Sequence, residues 1–102
     1  MQRNIRLVLE YDGTEFKGWQ IQPGQRTVQA ELESCLSKIF GDRIRVVAAG
    51  RTDSGVHALG QVVNFSANGS ISVDRVPNAL NGMLSSDIAV RGADEVPLTF
   101  HA

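Results

Sequence analysis

From Arg3 to Tyr11 the chain alternates without a break: Ile5, Leu7, Leu9 and Tyr11 fall on one side, Asn4, Arg6, Val8 and Glu10 on the other. Successive side chains of a strand point to opposite faces, so this segment predicts a β-strand with one buried face. That face needs a cover. A chain of 102 residues holds one domain with a modest core, which limits it to a single layer of helices on one sheet. Thr27 suits an N-cap, and Val28, Leu32, Cys35, Leu36 and Ile39 recur at helical steps before Gly41 closes the segment. Ile44 to Ala49 reads as a second strand, with Ile44, Val46 and Ala48 alternating against Arg45 and Val47. Leu59 to Phe65 reads as a third, with Val63 and Phe65 on one face, Val62 and Asn64 on the other, and Gly60 at a place for a bulge or a close backbone approach.

Ala67 to Ser70 is a turn. Asp74 is then expected to cap a second helix whose apolar stripe is Val76, Ala79, Leu80, Met83 and Leu84, with Pro77 tolerated in its first turn. Ile88 to Ala93 makes a fourth strand, and a Pro-containing tail follows. The order β-α-β-β-α-β predicts an α+β, ferredoxin-like split βαβ fold: a four-stranded antiparallel sheet with two helices on one face and right-handed crossovers. The other face, carrying Arg6, Glu10, Gly60 and Asn64, is left for RNA or a second domain.

The polar run Ala49 to Ala58 lies between the second and third strands and carries one carboxylate and one guanidinium, Asp53 and Arg51. Asp-Ser-Gly is also an ordinary turn, because an Asp side chain accepts nearby backbone N–H groups and Gly55 tolerates positive φ. Glu15 to Arg26, rich in Gly, Gln and Pro, reads as an irregular loop in which Phe16 and Trp19 either tuck beneath it or offer a stacking surface.

Charge is nearly balanced, at −1, so any nucleic-acid contact must come from a local patch. Arg43, Arg45 and Arg51 are the candidates for one, or else solvated strand-end charges. The lone cysteine, Cys35, excludes an internal disulfide and a cysteine-based metal cluster, and it falls among the apolar helix positions. The two histidines, His57 and His101, and the scattered carboxylates suggest no metal site. With no signal-peptide pattern and no bilayer-spanning apolar run, a cytoplasmic location is expected.

Arg51-Thr52-Asp53-Ser54-Gly55-Val56-His57-Ala58 resembles the signature of the TruA-type tRNA pseudouridine synthases, in which an R-T-D-x-G-V-H-A run carries the catalytic aspartate. Tyr11 to Gln20 is similar to the family's first block, and Gln61 to Phe65 to the strand after its catalytic loop, so the resemblance runs from Ile5 to Ala102. It implies isomerisation of uridine to pseudouridine in the anticodon stem-loop of tRNA, with Asp53 catalytic and no cofactor or metal. Arg51, Thr52, Gly50 and Gly55, with Arg43 and Arg45, would contact RNA, Arg51 also pairing with Asp53. Phe16, Trp19 and His57 would support the loop, His57 as a structural hydrogen-bonder.

The resemblance also implies a homodimer and a second domain, so residues 1–95 are expected to be the domain bearing the catalytic Asp and residues 96–102 a linker to a missing C-terminal domain. Alone, such an N-terminal half is expected to be inactive and to self-associate through exposed sheet surface. An alternative of another class is a non-catalytic RNA-binding or assembly module on the same fold. One departure from the family pattern, Leu84-Ser85-Ser86-Asp87-Ile88 in place of a Leu-Pro before Asp-Ile, predicts a looser loop.

Overall fold

The computed structural model describes residues 2–102. Four strands, β1 (Gln2–Tyr11), β2 (Val46–Ala48), β3 (Ala58–Asn68) and β4 (Ile88–Val96), form one antiparallel sheet in the order β2-β3-β1-β4. Helices α1 (Val28–Phe40) and α2 (Val76–Asn81) complete the predicted order of elements. The alternation in β1 is realised as expected. Ile5, Leu7, Leu9 and Tyr11 join Val63, Phe65, Ile88 and Val90 in a core shared with Val28, Leu32, Cys35 and Leu36 of α1 and Val76 and Leu80 of α2. Burial pushes the Cys35 thiol up, in keeping with a packing role.

α1 starts and stops where its caps predict. Thr27 accepts the Ala30 N–H on its side chain, and Gly41 ends the helix in the left-handed region at φ 68°. α2 departs from expectation. Asp74 is no cap, because a 3-10 turn over Val73–Arg75 runs directly into the helix and its backbone bonds satisfy the entry. The helix ends at Asn81, so Met83 lies beyond the stripe and is exposed.

β2 is shorter than Ile44 to Ala49, covering only Val46–Ala48. Glu33 and Ser37 of α1 accept the N–H groups of Val46 and Ile44 at 3.0 and 3.1 Å, so the entry to this edge strand is tied to the helix. β3 carries the bulge foreseen near Gly60: Leu9 pairs with Gln61 but Tyr11 with Ala58, so β3 has one residue more than β1 over this step. Leu59, within that step, is 82% exposed.

The sheet face away from the helices is not left bare. Asn4 donates to the carbonyls of Pro97 and Phe100 at 2.9 and 3.0 Å, Asn64 donates to Asn4 at 3.0 Å, and the Ala102 N–H donates to Asn64 at 3.0 Å. Arg6 lies 5.5 Å from the Phe100 ring centroid and pairs with Asp94, while Arg91 pairs with Glu10. The residues after β4 thus fold back across one end of this face and bury two asparagines there. Asn64→Ala removes a partner from both Asn4 and Ala102 and is expected to destabilise the fold by about 1–3 kcal/mol. Chemical denaturation measures the loss, and faster amide exchange at Phe100 and Ala102 marks release of the tail.

Candidate active site

The loop from Ala49 to His57 connects β2 to β3, as the sequence predicts, and is held from below by the segment that follows β1. Two backbones meet almost without side chains between them. The Trp19 N–H donates to the Thr52 carbonyl at 3.0 Å, and the Phe16 carbonyl accepts the Gly55 N–H at 3.2 Å and the Ser54 hydroxyl at 3.3 Å. His57 Nδ1 accepts the Gly13 N–H at 2.9 Å. His57 thus ties the start of β3 to the segment after β1, with Asp12 Oδ1 lying 3.2 Å from the same nitrogen. Glycine is required twice: a Cβ at Gly13 would overlap the Val56 carbonyl, and one at Gly18, where φ is 88°, would stand 2.9 Å from the Thr52 carbonyl.

Phe16 and Trp19 are both buried, so the tucked alternative holds and neither ring is a free stacking surface. Trp19 stacks on Tyr11 at 6.4 Å between centroids. Tyr11 in turn shares a hydrogen bond of 2.8 Å between its hydroxyl and Thr52 Oγ1. Gln61 closes the loop from the β3 side, donating to the Gly50 carbonyl at 2.6 Å. Gly55 has φ 80°, the positive value its turn requires, and the Val56 N–H donates to the Asp53 carbonyl at 3.1 Å.

Asp53 sits at the centre of this bracing and is itself exposed. Among the described residues its carboxylate accepts no hydrogen bond, and Arg51, two residues before it and also exposed, forms no ion pair with it. The pairing implied by the resemblance is not formed among the described residues. Arg43 and Arg45 precede β2, whose Val46 pairs with Phe65, whereas the loop leaves beyond Ala48, opposite Val63. They are exposed, but at ~3.3 Å per strand residue Arg45 lies about 10 Å back from the loop's root, so the three arginines do not gather into one patch at its tip.

Sequence reasoning missed Tyr11, Gln61 and Arg26 as supports. Tyr11 and Gln61 are strand residues whose polar ends reach the loop, and nothing in strand alternation marks that reach. Arg26 looks like a loop charge. It bonds both oxygens of Asp87 at 3.1 Å and lies 4.0 Å from the Phe16 ring centroid. Ser85, where a looser loop was expected, is instead tied down, its N–H and hydroxyl donating to Glu31 at 2.7 and 2.6 Å. Among the described residues no three His, Cys, Asp or Glu side chains gather as a metal site, and no helix is long and apolar enough to cross a membrane.

A family profile described as tRNA pseudouridine synthase matches residues 7–102. The chain belongs to that family. Curated relatives agree: it is 55% identical over 101 residues to a tRNA pseudouridine synthase A of Chlorobium luteolum, covering 98% of this chain and 40% of the relative. A protein of the same name from Bacillus pumilus is 53% identical over 96% of the chain and 40% of its own length, and one from Halalkalibacterium halodurans 56% identical over 98% and 38%. The chain thus spans about 40% of the length of these tRNA pseudouridine synthases.

Two predictions follow from the geometry. Gly13→Ala forces apart the two loops and is expected to shift the amide resonances of Val56 and His57 and to lower Tm, while distant amides such as those of Leu32 and Leu36 hold their positions. The hydrogen bonds from Arg26 hold the Asp87 carboxyl below the usual carboxylate range, against a smaller opposing effect of burial. A carboxyl lowered by folding adds stability above its unfolded value and loses it as pH falls through the lowered one. Stability measured from neutrality downward should therefore fall below about pH 4, and Asp87→Asn should flatten part of that slope.

Proposed function

We propose that this chain supplies the catalytic segment of a tRNA pseudouridine synthase and that Asp53 is its catalytic carboxylate. The observation that carries the reading is an exposed Asp53 whose carboxylate has no partner among the described residues, on a loop whose neighbouring residues Thr52, Ser54 and Gly55 are each fixed by hydrogen bonds. The reaction breaks the bond from uracil nitrogen to the sugar, turns the base and rejoins it through carbon, with no redox change and no group lost. A carboxylate that attacks the ring or the sugar carbon, or that takes a sugar proton, must be available and held still, and a closed pocket must keep water from the intermediate.

Arg51 would meet the RNA at this tip, where a guanidinium both favours an ionised carboxylate and stacks in the space a flipped base has left. Thr52, Gly50 and Gly55 line the approach in this reading, with Arg43 and Arg45 contacting the RNA backbone further along the edge strand. The names of the relatives support tRNA as the substrate. In the same reading the whole protein acts on the anticodon stem-loop, in the cytoplasm, as a homodimer and without a cofactor. Residues 1–95 are the domain bearing Asp53, and residues 96–102 lead to a further domain.

The test sets this chain in place of the matching segment of the Chlorobium luteolum relative and measures uridine-to-pseudouridine conversion in an anticodon stem-loop RNA. Conversion is expected in the hybrid and not with this chain alone, and Asp53→Asn should lower it by about 10²–10⁴-fold without loss of RNA binding. A folded hybrid that binds the RNA and converts it equally well without the carboxylate overturns the assignment in favour of a binding module.

A further inference from the structure

Arg26 is remote in sequence from the loop that carries Asp53, yet it grips the backbone on which that loop rests. Its guanidinium donates to both oxygens of Asp87 at 3.1 Å, to the Ser85 hydroxyl at 2.9 Å and to Glu31 at 3.4 Å. Glu31 in turn holds the Ser85 N–H and hydroxyl, so α1, the turn before β4 and Arg26 lock one another. A planar group bonded at several donors has one orientation. Here that orientation sets it over the Phe16 ring, 4.0 Å from the centroid.

The residues on either side of Phe16 are held by Arg26 as well. Its Nη1 donates to the Glu15 carbonyl at 3.4 Å, and its own carbonyl accepts the Lys17 N–H at 2.7 Å. Between them, the Phe16 carbonyl receives the Gly55 N–H and the Ser54 hydroxyl, from the two residues that follow Asp53. Side-chain exposures of 41% for Arg26, 23% for Asp87 and 22% for Glu31 mean that these ion pairs contribute little to stability by charge alone. Their convergence on one ring and its two neighbours is a geometric constraint.

We propose that Arg26 is a positioning residue for the reaction, holding Asp53 in register through Phe16. The proposal rests on the reading of Asp53 as the catalytic carboxylate. A displacement of about 1 Å at a reacting group costs up to about a hundredfold in rate.

In the hybrid described above, Arg26→Lys and Phe16→Leu are each expected to lower kcat about ten- to a hundredfold with KM within about twofold. The double variant should be no slower than the slower single one, because both act through one contact. Ser85→Ala, which removes one anchor and leaves guanidinium and ring in place, should give the same pattern at about two- to tenfold and covers a failure of the stronger variants to fold. An unchanged kcat, a loss carried by KM, or effects that multiply in the double variant overturns the proposal.

Amide exchange in this chain reads the same claim without catalysis. Arg26→Lys should speed exchange at Gly55 while Leu7, Leu32 and Phe65 keep theirs, and no change at Gly55, or an equal change at all four, rejects the strut. If the unaltered hybrid is folded but inactive, the reading of Asp53 fails while the exchange result still decides the mechanical link.

Discussion

The contact between the segment after β1 and the loop before β3 is the constraint on which the site depends. It is made largely by backbone on backbone, Trp19 to Thr52 and Gly55 to Phe16, with the Gly13 N–H bonded in addition to the imidazole of His57. Main-chain atoms have no rotamers, so bonds between them fix position more tightly than bonds between long side chains. The approach is possible because Gly13 and Gly18 present no Cβ to the Val56 and Thr52 carbonyls. It also depends on sheet register. Tyr11 pairs with Ala58, which brings the end of β1 beside the start of β3 and sets the two connecting segments face to face. The bulge over the preceding step belongs to the same arrangement, since it lets β3 pair with the rest of β1 while Ala58 still meets Tyr11.

The other face of the sheet answers a different demand. Asn4 and Asn64 occupy positions that alternation assigns to the face left for RNA or a second domain, yet both are buried within the chain itself, because the residues after β4 return across them. Buried amides are tolerable only when bonded, and these two bond one another and the returning backbone. Arg6 and Glu10 on this face are similarly engaged, with Asp94 and Arg91. A face that reads in the sequence as a vacant polar surface is partly spoken for by the chain itself.

The fold was legible because its signals are local and periodic. The alternation of Ile5, Leu7, Leu9 and Tyr11, the helical spacing from Val28 to Ile39 and the caps Thr27 and Gly41 each specify an element from neighbouring residues. What failed was decided by distant partners. The entry to β2 is tied to Glu33 and Ser37 of α1, and α2 dispensed with Asp74 because a 3-10 turn met its entry. The same holds at the site. The Asp53 loop is marked by the family resemblance of Arg51 to Ala58, but its supports Tyr11, Gln61 and Arg26 act across the fold. Ser85 is the clearest case: read locally, the absence of a proline loosens the turn, whereas the N–H that proline would lack is the one Glu31 accepts.

The division of labour in the loop has an energetic logic. Fixing a residue's backbone costs ~1–2 kcal/mol, and at Thr52, Ser54 and Gly55 that cost is met during folding by hydrogen bonds to the segment after β1. The side chains of Asp53 and Arg51 are left out of this network among the described residues. Binding a substrate at such a loop orders two side chains rather than a whole connection, so less of the interaction energy is consumed on association. Had the two charges closed on one another in the free chain, a ligand would first have to break their pair. Leaving both open on a braced backbone keeps the carboxylate and the guanidinium available for new contacts, while the interlock keeps the loop from moving away from them.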